Sequence, residues 1–313
     1  YLHNENTPRI NSQPGHRAYL KVSEGCIKNC AFCIIPKIRG TLRSRTIDSL
    51  VKEAQNLVNQ GVSELNLIAQ DLTDYGRDLR DGSTLPGLLR GLVKVDGLRW
   101  IRMLYVYPDE MSNELIELIA TEEKICKYID TPVQHINDRM LALMNRKVTG
   151  NQIKERLQKL RERIPNVAIR STVIVGYPGE TAEEYSQLRA FIKEAQFDHL
   201  GVFAYSHEEN TASYSLPDQL PEELKQERRD DLMKVQQAAS KARLKRFVGR
   251  TLPILVEGPS EESEYLWRGR HQGQAPDIDG HVLIRSGKLS QGKILDLKIE
   301  RAMEYDLIAS AIE

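Results

Sequence analysis

The run "EGCIKNCAFCIIPKIRG", residues 24–40, sets Cys26, Cys30 and Cys33 within eight residues of one another, while the remaining cysteine, Cys126, stands far downstream. Thiols this close on one tight loop can point at a common centre, so the spacing CxxxCxxC speaks for a metal group. A structural zinc site takes four ligands, and Cys126 or a histidine would have to supply the last. A redox CxxC needs only Cys30 and Cys33 and leaves Cys26 idle. Three unrelated buried cysteines is the blandest alternative, which the spacing disfavours. An iron–sulfur cluster with three cysteine-held irons and a fourth iron left open uses all three, and the open iron can take a substrate or cofactor directly. Phe32, one residue before Cys33, is an aromatic placed to cover a flat ligand there, or an ordinary core residue.

The cysteines follow the strand-like run "AYLKVSEG" from Ala18, and the next segment carries Ile47, Leu50, Val51, Ala54, Leu57 and Val58 on one helical stripe closed by Gly61. That βα unit is repeated. Strand-like runs end at Gln70, Tyr105, Val133, Gly176 and Ser206, with helical stripes between them such as Ile153, Leu157, Leu160, Ile164 and Tyr185, Leu188, Ile192, Ala195. Six strands alternating with helices predict an α/β fold with a parallel sheet, either a partial (β/α)6 barrel like part of a TIM barrel or a doubly wound sheet. In both, chemistry gathers at the carboxyl ends of the strands. Gln70 and Gln134 sit at such ends, as ligand contacts or as turn formers.

The pattern changes at "ENTASYSLPDQLPEE". Pro221 opens a charge-rich helix to about Val248, with Leu232, Val235, Ala239 and Ala242 expected inward, and from Gly249 short β-like runs alternate with turn residues as in a small OB-like barrel. The expected division is a lead-in over 1–17, an α/β core over 18–220, a connecting helix over 221–248 and an all-β barrel over 249–313. The chain opens on Tyr1 and a polar, loop-like stretch, so it is expected to begin inside a longer protein.

Lys and Arg total 44 and Asp and Glu total 44 in 313 residues, so no global charge marks a nucleic-acid binder. Four cysteines, three of them bunched, exclude a disulfide framework and suit a reducing, cytoplasmic setting. The apolar runs are far too short to span a membrane.

CxxxCxxC with an aromatic before its last cysteine, at the end of the first strand of a six-strand α/β half-barrel, resembles the radical S-adenosylmethionine (SAM) superfamily. The resemblance implies a [4Fe–4S] cluster on Cys26, Cys30 and Cys33 whose open iron chelates SAM, and one-electron reduction that yields methionine and a 5′-deoxyadenosyl radical. It implies further that the turn in "RSTVIVGYPGET" abuts SAM, which makes Arg170, Ser171, Val175 and Gly176 cofactor contacts beside Phe32, Gln70 and Gln134. Ala69-Gln70-Asp71 stands where many members carry Gly-Gly-Glu. Among the basic residues after the cluster, Arg39 and Arg45 are the candidates for charge support.

Over nearly the whole chain, "SEGCIKNCAFCIIPKIRGTLRSR", "GYPGET", "FAYS" and the trailing barrel resemble the methylthiotransferases, whose second domain is called TRAM. "AQDLTDYG", "YVYP", "TPVQH" and "EYDL" resemble the branch that modifies an aspartate β-carbon of ribosomal protein S12, rather than the branch acting on an adenosine of transfer RNA. Residues 249–313 carry eight Lys/Arg against eleven Asp/Glu, a balance that suits a basic protein partner better than RNA, so nucleic acid is not required. The resemblance also implies a low-potential electron donor such as flavodoxin or ferredoxin. It implies a further N-terminal domain holding a second cluster; without that domain, this chain is expected to cleave SAM but not to complete sulfur insertion. A non-catalytic zinc and nucleic-acid module is the alternative of a different class.

Overall fold

In the computed structural model, residues 2–107, 111–261, 263, 265–285 and 287–311 are described; Tyr1, Pro108 of "YVYP", and Glu262, Glu264 and Glu313 of the acidic count lie outside them. β1 (Arg17–Lys21) and β2 (Ser23–Glu24) lead into the cysteine loop, followed by α1 (Ile35–Arg39), β3 (Arg43–Ser44) and α2 (Ile47–Asn59). Thr46 caps α2 by accepting from the Ser49 amide, and Leu50, Ala54 and Leu57 form its buried stripe. The alternation continues through β4 (Glu64–Ile68), α3 (Leu85–Leu92), β5 (Trp100–Met103), α4 (Asn113–Thr121), β6 (Tyr128–Asp130), α5 (Asp138–Leu143), α6 (Gly150–Arg163), β7 (Ala168–Val175), α7 (Ala182–Ala195) and β8 (His199–Ala204).

The strands form two parallel sheets, β1-β4-β5 and β6-β7-β8, with a parallel bridge from Ile101 to Ile125 between them. One face of each strand is apolar: Leu20, Leu65, Leu67, Ile101, Ile129, Ile169 and Val173 pack into one core with residues of the helices. The alternate positions face the inner, concave side, where Glu64, Asn66, Arg102, Asp130 and Arg170 stand beside an apolar cluster that includes Trp100, Tyr128 and Ala168. Helices on one face and a concave face that carries charged groups make this a partial barrel rather than a doubly wound sheet. The outer edge of β1 is covered by the lead-in: Arg9 Nη2 donates to Tyr19 O at 2.6 Å and Asn11 Nδ2 to Arg17 O at 3.0 Å.

The helix expected to reach about Val248 is observed as α8 (Glu222–Leu244), and its inner face differs from the apolar stripe read from the sequence. Leu232 and Ala239 are buried, Val235 is half-buried and Ala242 is exposed, while Lys225, Arg228, Gln236 and Ser240 are buried instead. These polar side chains are tolerated inside because three have partners: Lys225 donates to Tyr205 O, Arg228 pairs with Glu180, and Gln236 donates to Phe197 O.

β9 (Thr251–Pro259), β10 (Trp267–Arg270), β11 (Val282–Ile284), β12 (Ile294–Ala302) and β13 (Leu307–Ala311) close into a barrel in the order β10-β11-β13-β12-β9. This barrel plugs the amino-terminal end of the half-barrel through a seam of buried charge. Arg270 reaches Glu64 at 2.5 Å and Glu257 at 2.9 Å, Arg17 reaches Glu257 at 3.0 Å, and Arg102 reaches Glu64 at 3.3 Å. On the other side Asp279 accepts from Tyr128 at 2.7 Å and faces Arg170 at 3.6 Å and His199 at 3.4 Å.

Candidate functional site

At the opposite, carboxyl-terminal end of the strands, the cysteine loop is braced by three other segments. The Cys26 amide donates to Gly40 O at 3.1 Å, the Ala31 amide to Met144 O at 3.0 Å, and the Ser213 amide to Ala31 O at 2.9 Å. Gly25 has φ +85°, and a Cβ there would stand 2.1 Å from Thr41 O, so only glycine lets the chain turn into the loop. Cys26, Cys30, Cys33, Phe32, Gln70 and Gln134 all line one cavity of about 420 Å³.

Burial pushes the Cys26 thiol up to about 11, with Asp71 and Asp74 adding to the effect, and burial raises Cys33 as well. Such thiols become thiolates only when a positive centre compensates the desolvation, as a metal does. Among the described residues no three Cys, His, Asp or Glu side chains gather tightly enough for a single metal ion. The three thiols rim a cavity instead of closing on a point, which suits a group large enough to span them.

Gln70 Nε2 donates to Glu24 Oε1 at 3.2 Å, and Gln70 Oε1 is buried without a partner. Gln134 Oε1 is also buried and unpartnered. Gln134 has φ +69°, an uncommon conformation for glutamine, fixed by its amide donating to Thr172 O and its carbonyl accepting from Ile174 N, each at 2.9 Å. Both glutamines line the cavity, and each carries an amide oxygen that no protein donor satisfies. Next in the chain, buried His135 accepts from the Asn137 amide on Nδ1 at 3.0 Å, which places its proton on Nε2, 3.2 Å from Glu180 Oε1. Glu180 Oε2 in turn accepts from the Gly176 amide at 2.8 Å and pairs with Arg228. The GYPGE turn and the segment after β6 are thus tied by one carboxylate.

The remaining sequence candidates lie elsewhere. Arg170 is directed to Asp130 at 2.9 Å and to the seam, and Ser171 is buried, donating to Thr131 O. Val175 ends β7 and Gly176 follows it, neither lining the cavity; a Cβ on Gly176 would press on Lys225 at 2.4 Å. Arg45 is held by Glu53, and Arg39 is exposed, 3.8 Å from Glu24. The cations at the cavity wall are instead Lys28 and Arg146, flanked by Tyr107 and Thr172. Nothing in the periodicity singles these out, because Arg146 arrives from a loop beyond α5.

A cysteine-rimmed cavity at the carboxyl end of a β/α half-barrel defines a class, and comparison with known proteins agrees with it. The Radical SAM superfamily matches residues 20–192 and the TRAM domain matches residues 248–312. Among solved structures the chain resembles coproporphyrinogen III oxidase (HemN) from Escherichia coli, a radical SAM enzyme, with a TM-score of 0.55 at 15% identity over 82% of this chain and 67% of that one. It also resembles methylornithine synthase (PylB), with a TM-score of 0.51 at 14% identity over 70% and 62% of the two chains. At these identities the likeness concerns the fold.

Much nearer in sequence are proteins described as ribosomal protein uS12 methylthiotransferase RimO. That of Syntrophotalea carbinolica is 52% identical over all of this chain and 69% of its own length, and that of Pelobacter propionicus is 50% identical over all of this chain and 70% of its own. That of Myxococcus xanthus is 50% identical over all of this chain and 66% of its own. The chain belongs to the RimO family of radical SAM methylthiotransferases.

Proposed function

We propose that this chain carries the radical-generating part of an enzyme that adds a methylthio group to the β-carbon of an aspartate in ribosomal protein S12. The substrate follows the description of its relatives, which share half of its residues along its whole length. The observation that carries the chemistry is the one cavity wall that brings Cys26, Cys30 and Cys33 together with Gln70 and Gln134. Cys26, Cys30 and Cys33 would hold a [4Fe–4S] cluster, with SAM beside it. When bound, this pair supplies a 5′-deoxyadenosyl radical after one electron arrives from a low-potential donor of the flavodoxin or ferredoxin kind.

The chain's own residues bind and orient. Gln70 Oε1 and Gln134 Oε1 accept N–H bonds from the cofactor, Phe32 covers it, and the buried walls keep water from the reacting atoms. Arg170, Ser171, Val175 and Gly176 act at one remove, holding β7 and the turn after it. Residues 18–220 form the working core, and the barrel over 249–313 closes its base and offers an acidic balance to a basic ribosomal protein. Cytoplasmic action on S12 follows from this reading.

The test is anaerobic reconstitution with iron and sulfide, then incubation with SAM and dithionite. Formation of 5′-deoxyadenosine by the wild-type chain, abolished in C26A, C30A and C33A, supports the radical chemistry. The substrate is tested in cells lacking the gene: return of modified S12 on complementation supports the reading, whereas modified transfer RNA beside unmodified S12 overturns it.

A further inference from the structure

Two cations share the aromatic ring of Tyr107 at the cavity wall, but their charges are disposed differently. Lys28 Nζ lies 4.9 Å from the ring centroid and is matched by carboxylates, 3.2 Å from Asp74 and 3.8 Å from Asp71. Arg146 stacks on the same ring at 4.0 Å and is only 6% exposed. Its Nη2 donates to Pro132 O at 2.8 Å, and among the described residues no carboxylate pairs with it. Its Nη1 is directed at Cys30 Sγ, 3.9 Å away. Of the three cysteines, Cys30 therefore faces a guanidinium that is held from two sides and, among the described residues, pairs with no carboxylate, whereas Cys26 is met by the Lys28 backbone amide at 3.4 Å.

We propose that Arg146 sets the reduction potential of the iron–sulfur group through the Cys30 sulfur, with Tyr107 and Pro132 as its mount. The inference rests on the cluster reading above. Reduction adds one electron, and with it one unit of negative charge, to a cluster already surrounded by thiolates. A buried cation that donates toward a ligand sulfur stabilises that added charge more than it stabilises the oxidised state, so it raises the potential. Stacking on Tyr107 keeps the guanidinium plane aimed, and among the described residues no carboxylate pairs with it to offset its charge. Arg146 is thus a positioning and tuning residue, acting on electron entry rather than on the substrate.

The test uses the reconstituted wild-type chain with R146Q, R146K and Y107L. Iron content is measured, and the cluster is titrated with titanium(III) citrate, which gives up one electron per cluster in passing to titanium(IV), followed by electron paramagnetic resonance. At a fixed solution potential the reduced-to-oxidised ratio is expected to fall at least tenfold in R146Q, a midpoint lower by about 59 mV, and by threefold or less in R146K, which keeps the charge. If R146Q does not hold iron, Y107L reads the same effect, with a two- to threefold fall expected. A wild-type chain that takes up no iron overturns the cluster reading and this inference together. Normal iron loading with an unmoved midpoint in R146Q, or in Y107L where R146Q does not load, overturns this inference alone.

Discussion

Glu64 lies at the centre of the seam, fully buried between Arg102 and Arg270. Burial alone would raise its carboxyl, but Arg270 and then Arg102 outweigh burial and hold it down at about 2, against an ordinary 4.5. At about 1.4 kcal/mol per tenfold change in proton affinity, the ionised group is worth about 3 kcal/mol of stability at neutral pH, at the lower edge of the roughly 3–5 kcal/mol expected for breaking a buried pair. E64Q keeps the side-chain shape, removes the charge and turns an amide N–H toward guanidinium donors. The chain's two tryptophans provide the assay, since Trp100 belongs to β5 of the half-barrel and Trp267 to β10 of the small barrel. With each kept alone by a W267F or W100F background, urea unfolding at pH 7 should show the midpoint falling by about 1 M in E64Q, taking a slope of about 3 kcal/mol per molar urea. The two probes should coincide in the parent and separate in the variant. The carboxyl is depressed on folding, so its contribution is complete well above 4.5 and is lost as pH falls toward about 2. The gap between parent and E64Q should therefore narrow by about 1 kcal/mol between pH 7 and pH 4. A loss below 1 kcal/mol at pH 7, or a gap that does not narrow, refutes the reasoning.

Other outcomes follow from single sites. His271 is buried, and burial, with His199 and Arg246 adding to it, pushes its imidazole down to about 3. The unfolded chain takes up a proton near 6.5 that the folded one refuses, so stability should drop by about 2 kcal/mol from pH 7 to pH 5, and H271F should flatten that slope in urea unfolding. Replacing Cys26, Cys30 and Cys33 together by alanine should reduce iron from about four per chain to below one after reconstitution, with C126A unchanged, as colorimetric iron assay checks. Q134A should weaken SAM binding about tenfold by removing one buried acceptor, measured by calorimetry on the reconstituted chain, while iron content stays at the wild-type level.

The half-barrel was legible because its helices and strands carry their apolar residues at regular periods, as Leu50, Ala54 and Leu57 do on α2. That Cys26, Cys30 and Cys33 share one loop was legible because their spacing is local. The seam was not, since Glu64, Arg102 and Arg270 are far apart in sequence and ordinary in composition, and burial alone gives them meaning. Arg146 was missed for the same reason, its aim at Cys30 being a tertiary contact across 116 residues. Arg170 was misplaced in the opposite sense: a polar residue on a strand leading to the site points down the concave side toward Asp279 rather than up to the cavity.

An incomplete barrel has an unpaired rim, and a strand with free N–H and C=O groups invites another chain to pair with it. Along β1 the invitation is declined by side chains of the lead-in, Arg9 and Asn11, which occupy the Tyr19 and Arg17 carbonyls. The polar, loop-like segment that opens the chain thus takes up two of the edge carbonyls that a pairing strand would need.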